Sequence, residues 1–322
     1  MGVVLSDSIG DHLPSPPSLT LPRRKSGTPD LRIKMRNPGK PGFRGGGNRG
    51  AGAERQQEIF AANRAVGRVA LTVGVSGNVS RRVRVREDGS LRVRFPNADG
   101  LEAVLVNTAG GIAGGDRFGV EIALGAGASL VAGTAAAEKV YRSNGPDADI
   151  EVKLDVGAGA RLSWLPQETI LFDCARLTRR IDVDMAEDAS LVLAEAIVFG
   201  RSAMGETVAQ GSLTDRWRVR RGGELAFAET VRLDGAIADK MAQAAVANGN
   251  VAIATVLIAP GSEAKVKAVH ALETNFIGEA AISAWNGIAV ARLCARDGAA
   301  LRHDLVAMLA ALGAPVPRLW LN

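Results

Sequence analysis

Residues 150–165 read IEVKLDVGAGARLSWL, and the fold turns on how that stretch is read. Ile150, Val152, Leu154 and Val156 alternate with Glu151, Lys153 and Asp155, the two-residue period of a half-buried strand. The small residues Gly157-Ala158-Gly159-Ala160 then make a turn, and a second strand is entered through Leu162. The pattern recurs as VEIALGAGASLVAG (120–133), IDVDMAEDASLVLAEAIVFG (181–200) and WRVRRGGELAFAETVRLDG (217–235). The entry leucines Leu130, Leu162, Leu191 and Leu225 are spaced 32, 29 and 34 apart, and Leu91 begins the series 39 residues earlier. Degenerate repeats of this length predict β units that bury their faces against their neighbours. The expected fold is mainly β, an irregular β-helix-like stack of repeated strand-turn-strand units.

Working outward, RRVRVREDGSLRVRFP (81–96) predicts a hairpin with one wet face and a tight turn at Asp88-Gly89. Its alternating arginines could bind an acidic partner, but a solvent-facing strand is the preferred reading. Toward the C-terminus two or three short helices are expected. AIADKMAQAAVANGN (236–250) reads as one, stopped by Asn248-Gly249. Ser262 is placed to cap a second, running to about 274, and Asp297 a third. Leu301, Leu305, Met308, Leu309 and Leu312 fall on one face of the third, which Gly313 and Pro315 end. Strands are expected at VAIATVLIA (251–259), AAISAW (280–285) and GIAVARLCA (287–295).

The 322 residues carry a formal charge of +5, unevenly distributed. Residues 1–53 hold nine Lys/Arg against three Asp/Glu, a net of +6, and the remaining 30 against 31 give −1. The same first segment holds seven of the 13 prolines and ten of the 38 glycines. It cannot bury enough surface to offset its ordering entropy, so a disordered basic tail over 1–53 and a single domain over 54–322 are expected. Met35 is an alternative start. The near-neutral body shows no basic patch for nucleic acid. Cys174 and Cys294 are isolated and read as thiols rather than a disulfide. No apolar run is long enough to span a membrane and no signal peptide is evident, so the expected location is the cytoplasm.

NTAGGIAGGDRF (107–118) invites comparison with phosphate loops. A Walker A loop needs a lysine and a hydroxyl after its last glycine, but Asp116 stands there and would repel phosphate. The dinucleotide fingerprint fails as well, because the order is GGxxGG and an alternating strand follows rather than a helix. The glycines instead predict a sharp turn with positive φ, with Asp116 capping local amides. His12, His270 and His303 have no local partner for a metal cage. Glu168, Glu195 and Glu229 recur near the ends of repeat strands and read as solvent-facing rungs.

Five motifs in order then carry a resemblance: NTAGGIAGGDRF (107–118), EKVYRS (138–143), WLPQETILF (164–172), GRSAMGET (200–207) and PRLW (317–320). SAWNGIAVARL (283–293) adds to them. Together they resemble the UreD/UreH urease accessory proteins over roughly residues 60–322. The resemblance implies a scaffold rather than an enzyme, one that binds apo-urease. It would recruit a nickel-carrying GTPase and a second accessory protein that couples that GTPase to the scaffold. Nickel would be in transit and no nucleotide bound by this chain. It also implies an irregular β-helical fold and a polar, acidic route for nickel. Carried onto this sequence, the motif residues are Gly110, Gly111, Gly114, Gly115, Lys139, Tyr141, Arg142, Ser143 and Arg201. Asp116, Glu168 and Glu206 are the candidate carboxylates on the nickel path, hard oxygen donors that can release an ion. The competing expectations are a small-molecule enzyme using an acidic pocket, and a nucleic-acid-binding protein acting through the tail.

Overall fold

The structure, a computed structural model, describes residues 64–201 and 204–321. The tail expected over 1–53 and the start of the expected 54–322 domain lie outside the described residues. β1 (Val66–Ser76) and β2 (Val79–Gly89) form an antiparallel hairpin, and β3 (Leu91–Arg94) pairs antiparallel with β4 (Glu102–Asn107). From there the chain winds between two sheets. β5 (Arg117–Leu124), β8 (Ala148–Val156), β11 (Arg176–Met185) and β13 (Gln210–Arg221) stack in parallel on β1 in sheet A. β6 (Ser129–Thr134), β9 (Arg161–Trp164) and β12 (Ser190–Phe199) stack in parallel on β4 in sheet B. The short strands β7 (Glu138–Val140) and β10 (Thr169–Leu171) attach to sheet B through β12. β14 (Glu224–Ala236) closes sheet A against β13, while β15 (Ala252–Ala259), β16 (Glu279–Trp285) and β17 (Ile288–Ala295) extend sheet B in antiparallel fashion. The expected β-helix-like stack is the fold.

The opening stretch is one coil of it. Its first strand, β8, lies in sheet A and its second, β9, in sheet B. Leu130, Leu162 and Leu191 stand directly opposite one another and are fully buried, so the leucine spacing is a true rung repeat. Across sheet A, Val69, Val120, Val152, Ile181 and Trp217 form the matching inward rung. Each of the three A-to-B corners within the parallel stack is a four-residue turn ending in a buried alanine: Ala128, Ala160 and Ala189. The turns are tied coil to coil by main-chain bonds such as Gly157 N–H to Leu124 O at 2.9 Å. A Cβ on Gly157 would lie 2.7 Å from that same carbonyl, which is why glycine is needed there.

Two members of the leucine series do not belong. Leu225 sits on β14, which turns back antiparallel on β13, and it is 54% exposed. Leu91 is buried, but on β3, whose partner β4 runs antiparallel. The hairpin expected at 81–96 is also absent. Gly89 (φ 60) and Ser90 carry the chain from sheet A to sheet B, so β2 and β3 pair with different strands. The hairpin lies one turn earlier, through Gly77-Asn78, and β2 is exposed on both faces rather than one. A period of two identifies strands but does not say which strands pair.

A second core covers the outer face of sheet B. α1 (Ile237–Met241) is shorter than expected, and the chain from 242 to 249 is turns, ending at Asn248 (φ 50) and Gly249 (φ 80). Its alanine-rich stretch lacks the apolar stripe that would hold a longer helix on the sheet. α2 (Glu263–His270) starts at Ser262, whose hydroxyl accepts from Lys265 N–H, and a 3₁₀ turn at Glu273–Asn275 completes the expected span. α3 (Gly298–Ala311) is capped by Asp297 and buries Leu301, Leu305, Met308 and Leu309 against sheet B. Buried Asp304 ties α3 to the entry of β16 by accepting from Ile277 N–H (2.8 Å) and Gly278 N–H (2.7 Å).

The rung register makes Leu162 central. Leu162→Ala should cost roughly 2–5 kcal/mol, because the stacked neighbours cannot collapse into the space. Leu225→Ala, on an exposed edge, should cost less than about 0.5 kcal/mol. Urea unfolding midpoints of the two variants test the difference; equal shifts would contradict the register.

Candidate functional site

While the A-to-B corners are short and uniform, the return connections from sheet B to sheet A are long and individual. They leave β4, β6, β9 and β12, and four of the motifs singled out in the sequence lie on them. The fold stacks these connections. Ile112 bridges in parallel to Val140, Val140 pairs with Leu171, and Leu171 with Phe199, so four buried apolar side chains form a column.

The loop Asn107–Asp116 is a turn, as its glycines predict. Gly110 (φ 79), Gly111 (φ 141) and Gly115 (φ 89) all take positive φ. Gly111 has a second reason to be glycine, since a Cβ there would lie 2.4 Å from the Tyr141 ring. A Cβ on Gly114 would meet Ser143 Oγ at 1.9 Å. Tyr141 donates its hydroxyl to Gly110 O (2.8 Å) and packs edge-on against Phe172, with centroids 5.2 Å apart. The guanidinium of Arg201 lies over the same Phe172 ring, 4.2 Å from its centroid. Arg142 reaches Asp173 at 3.7 Å on the surface, and Lys139 is exposed. The motifs are therefore neighbours in space, and Tyr141, Arg142 and Met204 (75% exposed) present the corner to solvent.

The three carboxylates singled out in the sequence lie on different connections, and each has a local partner. Asp116 is 4% exposed; its two oxygens accept from Ala113 N–H (2.7 Å) and Ala65 N–H (2.8 Å), which makes it the cap of its own loop. Glu168 is held by Arg302 of α3, through Nε at 2.7 Å and a second, closer contact to Nη2. Arg302 also donates to Gln167 (3.0 Å) and to Trp320 O (3.3 Å), joining the closing PRLW motif to this connection. Glu206 makes a two-pronged pair with Arg201 at 2.7 and 3.0 Å, which holds its carboxyl below the ordinary range. Among the described residues, no three His, Cys, Asp or Glu side chains gather as a metal cage.

The structure adds a polar cluster that the sequence reading missed. Arg179 of β11 points between the sheets, where its Nε donates to Asp215 of β13 at 3.0 Å and its other nitrogens contact Asp215 and Glu195 of β12. Trp164 Nε1 donates to Glu195 at 2.8 Å and Trp217 Nε1 to Asp215 at 3.2 Å. All of these residues are buried, which corrects the expectation that Glu195 is a solvent-facing rung. Glu168 is buried too, and Glu229 is half-buried against Arg292. Burial opposes the Arg179 charge, but Asp215 and Glu195 outweigh it and hold the guanidinium above its ordinary pKa. Burial pushes Glu195 up, against the pull of Arg179. The signal was parity: Arg179 and Asp215 occupy inward positions of their strands, where Ile150 and Phe118 stand on the adjacent coils.

A cavity of about 70 Å³ joins this cluster to the connections. Arg179, Glu195 and Thr169 line its deep side, and Asn107, Thr134 and Glu138 the side of the corner. Burial raises Glu138 above the ordinary 4.5, partly offset by the bond from Asn107 Nδ2 at 3.0 Å.

Comparison with known proteins agrees with the motifs. The model of a family described as "UreD urease accessory protein" matches residues 65–321. The chain is similar to the urease accessory protein UreD of Rhodopseudomonas palustris (strain BisA53), 58% identical over 269 residues, covering 83% of this chain and 94% of that protein. It is also similar to the urease accessory protein UreD 3 of Bradyrhizobium sp. (strain BTAi1), 56% identical over 273 residues, covering 84% and 98%.

The burial of Glu138 has a consequence for stability. Its folded-state pKa lies above the unfolded value, so as pH rises from about 4.5 the unfolded chain loses this proton first and is favoured. Wild type should therefore lose stability relative to Glu138→Gln as pH rises through the interval above 4.5, and stay below it at neutral pH. Thermal unfolding across pH 4 to 8 measures this; a constant gap would place Glu138 in water.

Proposed function

The chain belongs to the UreD urease accessory protein family, with a role in urease maturation, and from that premise we propose that it works as a scaffold for nickel insertion. It binds the urease structural subunits in their apo form and recruits the accessory GTPase together with its coupling accessory protein. GTP is hydrolysed on the partner, and this chain supplies position rather than catalysis, in the cytoplasm. No nucleic acid or membrane takes part. The stacked connections support the docking half of this reading. They hold Tyr141, Arg142 and Met204 on a rigid corner, and Tyr, Met and Arg are the residue types enriched at protein interfaces.

The observation that carries the nickel half is the internal cavity. Its lining carries oxygen and amide groups from Glu138, Glu195, Asn107, Thr134, Gln167 and Thr169, together with the Arg179 guanidinium that is paired to Glu195, and no histidine or cysteine. Such donors suit hydrated Ni²⁺ as cargo, because an ion that must leave cannot be gripped by thiolate or imidazole. Asp116, Glu168 and Glu206 remain candidates along the route. To ligate nickel, Glu168 and Glu206 must exchange their arginines for the ion, and Asp116 must release two main-chain amides. Glu138 lines the cavity with Asn107 as its one side-chain partner among the described residues, and has the least to give up.

Glu138→Gln keeps the size of the side chain and an acceptor for Asn107, and its thermal unfolding, measured alongside, separates loss of function from unfolding. Co-expressed with urease structural subunits and the other accessory proteins, it should still co-purify in the complex. Urease activation at limiting nickel should fall by roughly tenfold or more, the usual scale for disturbing a metal's surroundings. Normal activation would remove the cavity from the route. Absence of any complex between wild-type chain and urease subunits would remove the scaffold itself.

A further inference from the structure

We propose that β2, the free edge of sheet A, docks an acidic, extended polypeptide segment of a protein partner, which adds to the sheet as one more strand. Among the described residues, β2 is the terminal strand of its sheet and pairs with β1 alone. Of its 11 residues every one is exposed or half-buried, so the strand lies against water on the side away from β1. Unpaired main-chain groups on such an edge are a template for strand addition.

The side chains select the occupant. Between residues 79 and 95 stand six arginines, against Glu87 and Asp88. The register shifts between Thr72 and Val73, so that Thr72 faces Arg84 while Val73 faces Arg82, and Val83 is the extra, bulged residue. The bulge reverses the parity of the RRVRVR run. Arg84 and Arg86 share the outer face of sheet A with Thr72 and Ala70, and before the bulge it is Arg81, opposite Gly74, that joins them. Arg82 is turned to the other face, where its guanidinium covers the Phe95 ring at 4.8 Å. Glu87 is taken up by Arg94 at 3.1 Å, Arg92 at 3.8 Å and Val93 N–H at 2.6 Å. Arg81, Arg84 and Arg86 therefore form one row along the edge, and none has an ion-pair partner among the described residues.

Edge arginines can also serve only to keep like edges apart. That role gives no reason for apolar side chains between them, yet Val79, Val83 and Val85 are 55%, 70% and 39% exposed. Three free guanidiniums in a row with valines between them complement a strand that alternates carboxylates with small apolar residues. Nucleic acid is a poorer fit, because Phe95, the aromatic ring at this edge, is already covered by Arg82 and offers no face for a base.

The full-length chain can be titrated, by fluorescence anisotropy, into a labelled peptide of about ten residues alternating glutamate with valine and threonine. A second peptide of the same sequence carries N-methyl groups on alternate amides, keeping the charge but losing half its main-chain donors. Saturable binding is expected for the first peptide, weakened by about tenfold or more in the second and in the Arg81→Glu/Arg84→Glu/Arg86→Glu variant. Arg81→Gln/Arg84→Gln/Arg86→Gln, chosen as the milder change to folding, should fall between. Amides within 79–89 should gain protection from hydrogen exchange when the peptide binds. Unchanged binding by both variants would put the peptide on other cations, such as the arginines of 1–53, and overturn the proposal. Equal binding of the N-methylated peptide would reduce it to charge attraction, and displacement by an equimolar single-stranded oligonucleotide would assign the edge to nucleic acid. No urease component enters the assay, so its outcome is separate from that of the scaffold reading.

Discussion

Every coil of a parallel stack must return the chain to the same register, and the rest of this molecule depends on that closure. A slip of one residue would turn each inward side chain outward, so Leu130, Leu162 and Leu191 can align only if the path between them closes identically each time. The chain divides the task unequally. The A-to-B corners are fixed at four residues, small enough for neighbouring coils to hydrogen bond through them. With one corner fixed, all freedom of length and composition moves to the other. The return connections can differ from coil to coil and still stack, because Ile112, Val140, Leu171 and Phe199 supply a common buried column beneath them. A rigid scaffold with its variation gathered on one side is the usual setting for recognition.

Closure also explains how charges come to lie inside. Arg179, Asp215 and Glu195 hold inward positions on β11, β13 and β12, and the register sets them side by side between the sheets. Such a cluster is not a natural source of stability. Desolvating three ionisable groups costs several kcal/mol each, and a well-packed apolar replacement is often no less stable. What the cluster provides is a polar wall in an otherwise aliphatic interior, with its hydrogen-bonding capacity taken up by Trp164, Trp217 and Thr169. That wall is one end of the cavity, and Glu138 is at the other.

Much of this was legible in the sequence, and the limits of legibility were physical. Strand positions, the tight corners and the caps at Ser262 and Asp297 followed from local pattern, because their causes are local. Pairing did not: Leu225 fits the spacing but lies on an antiparallel edge, and Gly89 separates sheets rather than strands of one hairpin. The glycine loop was read as a turn with Asp116 capping its amides, and that is the geometry Asp116 takes. The buried trio was missed because Arg179 and Arg180 are adjacent, and the parity of Leu177, Ile181 and Val183 that turns Arg179 inward was not extended to them. Glu195 was hidden in the opposite way. It lies on β12, which helices cover on its outer side, so the alternation that would have marked an inward charge is absent from LVLAEAIVF.

A carboxyl group such as Glu138 has a further property that bears on the proposed route. Burial makes its ionised form costly, so a divalent cation entering the cavity must compete with a proton that is held more tightly than usual. That competition weakens binding, which would be a defect in a storage site and is a requirement in a passage. An ion arriving with part of its water shell would relieve the buried charge of Glu138 while it stays, and the proton or Asn107 would take its place when it leaves. At the other lining group, Arg179, Asp215 and Glu195 are committed to one another, so a cation there would have to break those pairs. On the proposed route a cation would displace less at Glu138, whose side-chain partner among the described residues is the neutral Asn107. The corner that carries the motifs and the carboxyl group proposed to accept and release an ion are thus parts of one arrangement, produced by the same closure of the coils.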